Sequence, residues 1–394
     1  MSDAPTPPAP PPATPSPPPV APPPQPAQPA QPLLLRLISP LIVPVLAVIT
    51  ALAIGAVIIW LTGKDPIAAF SGLWAGSFGS PRAIERTIIR STPFIIAGLA
   101  VALGFKAGLF NIGAEGQLYA GSVMAVLVGF SFTGLSPLIH IPLAIAAGAL
   151  GGALWGGIPG VLKARTGAHE VITTIMLNFI AIRMTDWLIK SRNPTLLGDP
   201  LDSSGSRSFF VEESARLPTL FGTNLHAGIL MAIGLVFFVQ WLLYRTTIGF
   251  ELRTVGVNPS ASRYAGMSVP RNIILAMALS GMLAGLAGTG EVLGVEGALK
   301  TEFFSGLGFD AIAVALLARS NPLAIIPAGL LWGGLLTGAQ LMQVRAELPI
   351  DLIKIVQALI IMFVAADQIV RWMYRIPKDT GGGQSVFSSG WGGK

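Results

Sequence analysis

The sequence predicts an all-α polytopic membrane protein with about ten transmembrane helices. Two observations of composition support this fold class: 52% of the 394 residues are hydrophobic, and only 11% are charged. A soluble chain would carry about 25% charged residues. The third observation is a series of apolar runs that are each about 18–25 residues long, the length that a helix needs to cross a bilayer.

The two ends of the chain differ in composition from the middle. Pro accounts for sixteen of the first thirty-two residues, so residues 1–32 are predicted to form a disordered, extended cytoplasmic tail. Residues 376–394 are rich in Gly and Ser and are predicted to be a flexible cytoplasmic tail. Residues 33–375 are predicted to form one transmembrane domain.

Ten apolar segments are predicted to span the membrane, and the eighth is short enough to be re-entrant. In chain order they cover residues 33–61, 91–105, 109–130, 138–162, 170–189, 225–244, 272–293, 309–318, 322–342 and 350–372. The loop at 62–89 is expected to hold a short interfacial helix. The loop at 245–271 is basic, with four Arg and one Glu.

The loop charges predict the orientation, because basic residues favour the cytoplasmic side of a membrane. In a ten-span chain, Lys163, Arg165, the loop at 245–271 and the basic residues at 371–378 fall on one side. This side is assigned to the cytoplasm together with both termini. The three arginines between positions 82 and 90 fall on the other side and count against this orientation.

A weak internal duplication is visible. The tetrapeptide Leu-Trp-Gly-Gly occurs at 154–157 and again at 331–334, in the fourth and ninth predicted spans. Because these spans are an odd number apart, the two halves would be inverted across the membrane. An inverted five-helix repeat is a common transporter arrangement.

The third predicted span contains polar residues within a glycine-rich run. Asn111, Glu115 and Gln117 lie there, and Phe110 precedes them. Polar groups at membrane depth either line a solute pathway or hold helices together. An interhelical hydrogen bond of the second kind contributes about 1 kcal/mol or less. On a helix, Asn111 and Glu115 would share a face, and Phe110 could stack on a ring of the solute.

Two further groups are candidate site residues, one for the pathway and one for its outer mouth. Thr174 and Asn178 are four residues apart on the fifth span and form a polar stripe. Glu291, Glu296 and Asp310 are expected either at the outer mouth or as ordinary loop charges in water.

Four separated motifs resemble one family of proteins. They lie at 104–121, 169–178, 253–267 and 308–317, and the first contains Asn111-Ile112-Gly113-Ala114-Glu115-Gly116-Gln117. In this order they resemble ATP-binding-cassette (ABC) transporter permeases of the branched-chain amino acid, ribose and simple-sugar superfamily, and above all its nucleoside branch. The resemblance covers about residues 35–375. Ala318 stands where the family pattern would have Gly.

The resemblance implies a permease subunit of an ATP-driven importer for nucleosides in the bacterial inner membrane. A partner ATPase, expected as a tandem subunit, would hydrolyse ATP, because the chain has no phosphate-binding loop. A second related permease and an extracytoplasmic substrate-binding lipoprotein are the other implied partners. No cofactor, metal or nucleic acid is expected, and the net charge of +6 reflects membrane topology.

The basic loop is the candidate for coupling to the ATPase. Pro259 is a favourable first residue for a short helix, and the resemblance implies that this helix docks on the ATPase. The candidate residues are Arg253, Asn258, Pro259, Arg263 and Tyr264. The alternative is a loop that contacts only lipid headgroups.

Other functions remain open on the sequence alone. The cargo could be a simple sugar or a branched-chain amino acid. A secondary carrier driven by protons or sodium is another class, because Glu115 is an intramembrane carboxylate. A membrane enzyme has little support, since the chain has three His, no Cys and neither of the common hydrolase motifs.

Overall fold

The computed structural model describes residues 33–191, 193–304, 306–365 and 367–375. The predicted tails at 1–32 and 376–394 therefore lie outside the described residues. The described residues form fourteen α-helices, and their only β-structure is three isolated bridges. All side-chain contacts discussed below belong to the compact unit that begins at Ile42. The prediction of an all-α protein is confirmed.

The helices follow one another with mostly short connections. They are α1 (Leu33–Leu61), α2 (Pro66–Phe78), α3 (Pro81–Lys106), α4 (Ala114–Ser131), α5 (Pro137–Thr166), α6 (Glu170–Lys190), α7 (Gly228–Arg245), α8 (Thr247–Val257), α9 (Pro259–Tyr264), α10 (Val269–Glu291), α11 (Leu307–Leu317), α12 (Ile325–Ala346), α13 (Ile350–Ala365) and α14 (Asp367–Met373). A 3-10 turn at Glu213–Ala215 lies in the longest connection, and a π-turn at Val292–Glu296 extends α10.

Among the described residues, seven helices are long and apolar enough to cross a membrane. They are α1 from Ile42 onward, α3, α5, α6, α7, α10 with its π-turn, and α12. Two further apolar stretches, Leu307–Leu317 and Lys354–Phe363, are shorter. The protein is therefore a multi-pass membrane protein, while the count of ten and the inverted repeat stay predictions.

Several predicted boundaries were wrong. α3 begins at Pro81 rather than at 91, because the Ser80 side chain accepts a hydrogen bond from the Ala83 N–H and caps the helix. The chain becomes helical again only at Ala114, so the segment at 109–113 is not part of a span helix. The tenth predicted span coincides with α13 and α14, and the residue between them lies outside the described part.

Close backbone contacts hold the centre of the bundle together. A β-carbon at Gly152 of α5 would lie 2.7 Å from the Cα of Gly285 on α10, so these two helices touch through their main chains. Small residues allow such contacts inside membranes. The helix expected in the loop after the first span exists as α2, and its buried side, which includes Ala69 and Ser77, packs against α12.

Candidate functional site

The polar motif lies in a turn between α3 and α4, where Asn111 is fully buried. Its Oδ1 accepts a hydrogen bond from the Gly113 N–H at 2.8 Å. Its Nδ2 donates to Gln117 Oε1 at 2.9 Å and to the Ser280 hydroxyl on α10 at 2.8 Å. Because Asn111 precedes the helix, the expectation that it shares a helical face with Glu115 was wrong. It instead connects the turn to α4 and α10.

The Asn178 side chain of α6 forms two hydrogen bonds with the backbone at the start of α4. Its Oδ1 accepts from the Gly116 N–H at 2.8 Å, and its Nδ2 donates to the Ile112 carbonyl at 2.9 Å. The first N–H groups of a helix have no partner within the helix, so Asn178 satisfies one of them. Thr174 lies one turn earlier, buried beside Gly113, and its hydroxyl donates to the Glu170 carbonyl of its own helix at 2.7 Å.

Glu115 holds the start of a second helix. Its two carboxylate oxygens accept hydrogen bonds from the Gly306 N–H at 2.9 Å and from the Gly308 N–H at 2.5 Å, at the beginning of α11. A β-carbon at Gly308 would lie 2.5 Å from the Cα of Glu115, so the first turns of α4 and α11 are in backbone contact. A carboxylate is favoured at this position by the partial positive charge of a helix N-terminus.

These contacts form a closed polar cluster. Asn111, Glu115, Gln117, Thr174 and Asn178 are each 0–2% exposed, and all five make hydrogen bonds to protein groups. Non-helical backbone at membrane depth requires this kind of burial or a water-filled cavity. The structure brings all five residues together, while their role in lining a solute pathway stays a prediction. In this conformation their polar groups bond to one another and to two helix N-termini.

Phe110 lies at the edge of this cluster. Its half-buried ring lies 4.9 Å from the ring of Phe105, measured between centroids. Its N–H donates to the Glu170 carboxylate at 3.5 Å, and Lys163 at the end of α5 makes an ion pair with the same carboxylate. The sequence did not reveal this ion pair, because Lys163 was assigned to the loop after the fourth predicted span and Glu170 to the start of the fifth.

The three carboxylates predicted at the outer mouth lie on different elements and have different surroundings. Glu291 ends α10, and Glu296 ends the π-turn, where it pairs with Lys300 at 2.6 Å. Asp310 lies on α11 and accepts a hydrogen bond from the Trp332 indole on α12 at 3.3 Å. Asp310 is therefore joined through its helix to the Glu115 site, while Glu296 has a partner of its own.

The basic loop at 245–271 contains two short helices, α8 and α9. The helix predicted at Pro259 is confirmed as α9, and the Asn258 side chain caps it by accepting from the Ala261 N–H at 3.0 Å. Arg263 and Tyr264 are exposed, the latter at 95%. α9 therefore presents an aromatic and a basic side chain to the surroundings.

The helix α8 was not predicted. Its Arg253 side chain connects it to the preceding helix, α7. The Arg253 Nε donates to the Leu243 carbonyl of α7 at 2.9 Å, and its guanidinium lies 4.8 Å from the centre of the Tyr244 ring. Arg253 therefore fixes the angle between α7 and α8. This role differs from that of Arg263, whose side chain is exposed.

The end of α8 touches the turn that leads into the polar cluster. A β-carbon at Gly108 would lie 2.6 Å from the Gly256 carbonyl oxygen. Gly108 has a φ of +70°, a conformation that favours glycine. Leu252 of α8 is buried in the same apolar cluster as Leu109. The sequence did not reveal this contact, because it joins residues about 150 positions apart in regions without shared periodicity.

The chain is similar to known transport proteins over most of its length. A family model described as the branched-chain amino acid transport system permease component matches residues 83–365. The guanosine ABC transporter permease protein NupP of Bacillus subtilis is 44% identical, over 86% of this chain and 97% of that protein.

Two other relatives extend the comparison. The glucose ABC transporter permease protein TsgB13 of Haloferax volcanii is 34% identical, over 84% of this chain and 89% of that protein. A second guanosine ABC transporter permease protein of Bacillus subtilis, NupQ, is 24% identical, over 64% of this chain and 79% of that protein.

Proposed function

The chain belongs to the family of branched-chain amino acid transport system permease components, and we propose that its cargo is a nucleoside. As a permease, it is the membrane subunit of an ABC transporter, and ATP hydrolysis takes place on a separate subunit. The observation that carries the proposal is the 44% identity with a guanosine permease over 97% of that relative. Import is the direction that we propose.

The chemistry of the polar cluster supports a nucleoside. The amide side chains of Asn111, Gln117 and Asn178 offer donors and acceptors together, which a ribose and a base edge both require. The neighbouring rings of Phe105 and Phe110, tilted by 39° to each other, offer aromatic faces on which a base can stack. In this proposal the cargo exchanges hydrogen bonds with the cluster when α4, α6 and α11 move apart.

A sugar is the second candidate cargo. It is favoured by the 34% identity with a glucose permease. A sugar would use the same amide groups but would need no aromatic stacking surface. Competition separates the two candidates: unlabelled guanosine or unlabelled glucose is added to cells that take up labelled guanosine, and the fall in uptake is compared. A secondary carrier is no longer a candidate, since the family works with an ATPase.

The proposed coupling route begins at α9. Its exposed Tyr264 and Arg263 would dock on the ATPase subunit, with the expected tandem ATPase as partner. Because α8 and α9 are joined at Asn258 and α8 touches Gly108, a shift of the docked helix would reach the turn that holds Asn111. Distant sites are coupled when the packed elements between them can take two discrete arrangements and each site favours one of these.

The proposed assembly has a second permease and a binding protein. Bacillus subtilis has two different guanosine permease proteins that are both similar to this chain, which supports pairing between two non-identical chains. The transporter also has a substrate-binding partner. We propose that this partner is a lipoprotein that meets the outer mouth, where Glu291, Glu296 and Asp310 are expected. We also propose that both termini lie in the cytoplasm of a bacterium and that the chain lies in its inner membrane.

The test is uptake of labelled guanosine by a strain that lacks the gene for this chain. We expect uptake to fall and to return when the gene is supplied on a plasmid. An unchanged rate without the chain would exclude the role. The same strain shows whether glucose uptake depends on the chain, which decides between the two cargo candidates.

A further inference from the structure

The seam between α4 and α6 contains a second group of buried polar side chains, separate from the polar cluster. Tyr119 lies about one turn after Glu115 on α4 and is 1% exposed. Asp186 lies about two turns after Asn178 on α6 and is 5% exposed. The Asp186 carboxylate interacts electrostatically with the Tyr119 hydroxyl across the seam. We call Tyr119 and Asp186 the seam pair.

One oxygen of the Asp186 carboxylate lacks a partner. The Oδ2 atom lies 3.3 Å from the Arg183 Nη1, whereas the Oδ1 atom is buried and has no hydrogen-bond partner among the described residues. A buried acceptor without a partner is costly, and such groups are rare in folded proteins and have a specific reason. Because an ionised carboxylate only accepts hydrogen bonds, the group that completes this site is a donor.

Tyr119 does not supply this donor in the present conformation. Its hydroxyl accepts a hydrogen bond from the Phe304 N–H at 3.1 Å, and the Asp186 Oδ1 atom is not bonded to it. The seam pair therefore contains a hydroxyl that can donate and a carboxylate oxygen that can accept. A hydroxyl group of a ligand can bond to both at once, because a hydroxyl is a donor and an acceptor.

Aromatic rings border the seam pair. The Tyr119 ring lies 5.0 Å from the Phe304 ring, between centroids, and the two planes are at 85°. The Phe303 ring lies 4.6 Å from the Phe304 ring. Phe303 is only partly buried, so a ligand can reach its ring. Aromatic rings favour contact with other flat rings, so a ligand with a hydroxyl at one end and a flat ring at the other suits this group.

We propose that the seam pair is a second cargo subsite, in which Asp186 accepts a hydrogen bond from a ribose hydroxyl and Tyr119 donates one to the same hydroxyl. This inference rests on the nucleoside cargo proposed above. The nucleobase lies against the Phe303 ring. The edge of guanine is a less suitable partner for Asp186, because its adjacent N–H donors would use both carboxylate oxygens and Arg183 already holds one of them.

The position of the seam pair suits a site that imported cargo meets before the polar cluster. Asp186 is close to the last residue of α6, Lys190, whereas Asn178 lies further back along the same helix. At 1.5 Å per residue, about 12 Å of helix separates Asp186 from Asn178. In the proposed orientation the Lys190 end of α6 faces the outside, so the cargo passes the seam pair first.

Uptake of guanosine analogues tests the subsite. The probes are labelled guanosine and the two labelled analogues that each lack one ring hydroxyl of the ribose. The initial rate of guanosine uptake is divided by that of each analogue, for the unaltered chain and for each variant, with the same binding protein and ATPase. Comparison of these ratios cancels the preference of the binding protein and the amount of chain in the membrane.

We expect the unaltered chain to take up at least one analogue more slowly than guanosine. Asp186→Ala should lower the ratio for that analogue about tenfold, the effect of losing one hydrogen bond to a charged group. Glu213→Ala is the matched control, because it removes an exposed carboxylate in the connection before α7 and should leave the ratio unchanged.

The outcomes separate the subsite from the proposed cargo. A ratio that is the same for Asp186→Ala and for the unaltered chain would overturn the subsite, even if uptake of all three probes falls together, and would leave the nucleoside cargo standing. Guanosine uptake that does not depend on this chain would instead exclude the cargo, and the subsite with it.

Cysteine protection gives a second reading that does not require Asp186→Ala to fold. The chain has no cysteine, so Phe303→Cys carries the only thiol. In membranes with the complete transporter, guanosine should slow alkylation of this thiol by a hydrophilic maleimide more than either analogue does. Alkylation of Phe221→Cys, at a position that is 92% exposed in the connection before α7, should not respond to guanosine. Either no alkylation of Phe303→Cys or equal rates with and without guanosine would overturn the subsite.

Discussion

Gly256 of α8 lies in backbone contact with Gly108, three residues before Asn111: a β-carbon at Gly256 would lie 2.6 Å from the Ala107 carbonyl carbon. The contact connects the segment with the exposed α9 to the turn that holds the polar cluster. It leaves no room for a side chain on either glycine. Movement of α8 must therefore move the turn or break the contact.

The first prediction concerns this contact. Gly256→Ala places a methyl group against the Lys106–Gly108 backbone, and overpacking of this kind costs about 1–3 kcal/mol. Guanosine uptake should fall about tenfold, the equivalent of 1.4 kcal/mol, while the ATPase still co-purifies. The control is Gly157→Ala on α5, where a β-carbon meets nothing within 4 Å. Unchanged uptake by Gly256→Ala would remove this contact from the coupling route.

The second prediction concerns the docking surface. Tyr264 is 95% exposed on α9, and loss of a buried aromatic anchor at an interface costs about 2 kcal/mol or more. Tyr264→Ala should therefore weaken binding of the ATPase about 30-fold, without lowering the melting temperature of the chain. Phe221→Ala is the control, since Phe221 is equally exposed but lies in the connection before α7. ATPase binding can be measured by titration in detergent.

The third prediction concerns Glu115. Its carboxylate accepts two backbone hydrogen bonds from the start of α11. A glutamine at this position keeps one acceptor oxygen, but its NH2 group would face one of the two backbone N–H donors of Gly306 and Gly308. Hydrogen bonds to a charged group contribute about 1.5–3 kcal/mol, so Glu115→Gln should lower the melting temperature and reduce uptake. The exposed Glu212→Gln should change neither. Full stability of Glu115→Gln would show that the charge is not needed to hold α11.

The fourth prediction is a pH dependence of stability. His226 is buried in the connection before α7; its Nδ1 accepts from the Gly228 N–H, and burial lowers its pKa below the ordinary value of about 6.5. Because the unfolded chain binds the proton more tightly, the stabilisation is full above about pH 6.5 and is lost as the pH falls. Asparagine keeps an acceptor but does not titrate. Between pH 7 and pH 5 the melting temperature of His226→Asn should therefore fall less than that of the unaltered chain. Identical pH profiles for His226→Asn and the unaltered chain would show that protonation of His226 does not limit stability.

The fold class could be predicted from the sequence because the length of each apolar run is a local property of the sequence. The π-turn after α10 could not, since it depends on packing against other helices, whereas the early start of α3 has a local signal. Pro81 and Ser80 do form a recognisable start signal. That signal was overlooked because the segment before position 91 is polar.

The members of the polar cluster could be predicted, but their arrangement could not. Asn111 and Asn178 stand out as amides in apolar surroundings. Whether Asn111 lies in the helix or before it depends on its contact with Gln117 in the first turn of α4 and on its contact with Ser280, which comes from another part of the chain. The role of Glu115 at α11 depends on residues about 190 positions away.

The most direct test of the central claim is transport by the reconstituted assembly. Liposomes would contain this chain, the second permease and the ATPase, with the binding protein outside. The account predicts that labelled guanosine accumulates only with ATP inside, that other nucleosides compete, and that glucose does not. Accumulation of glucose instead of guanosine, or guanosine transport that continues without ATP and the ATPase, would contradict it.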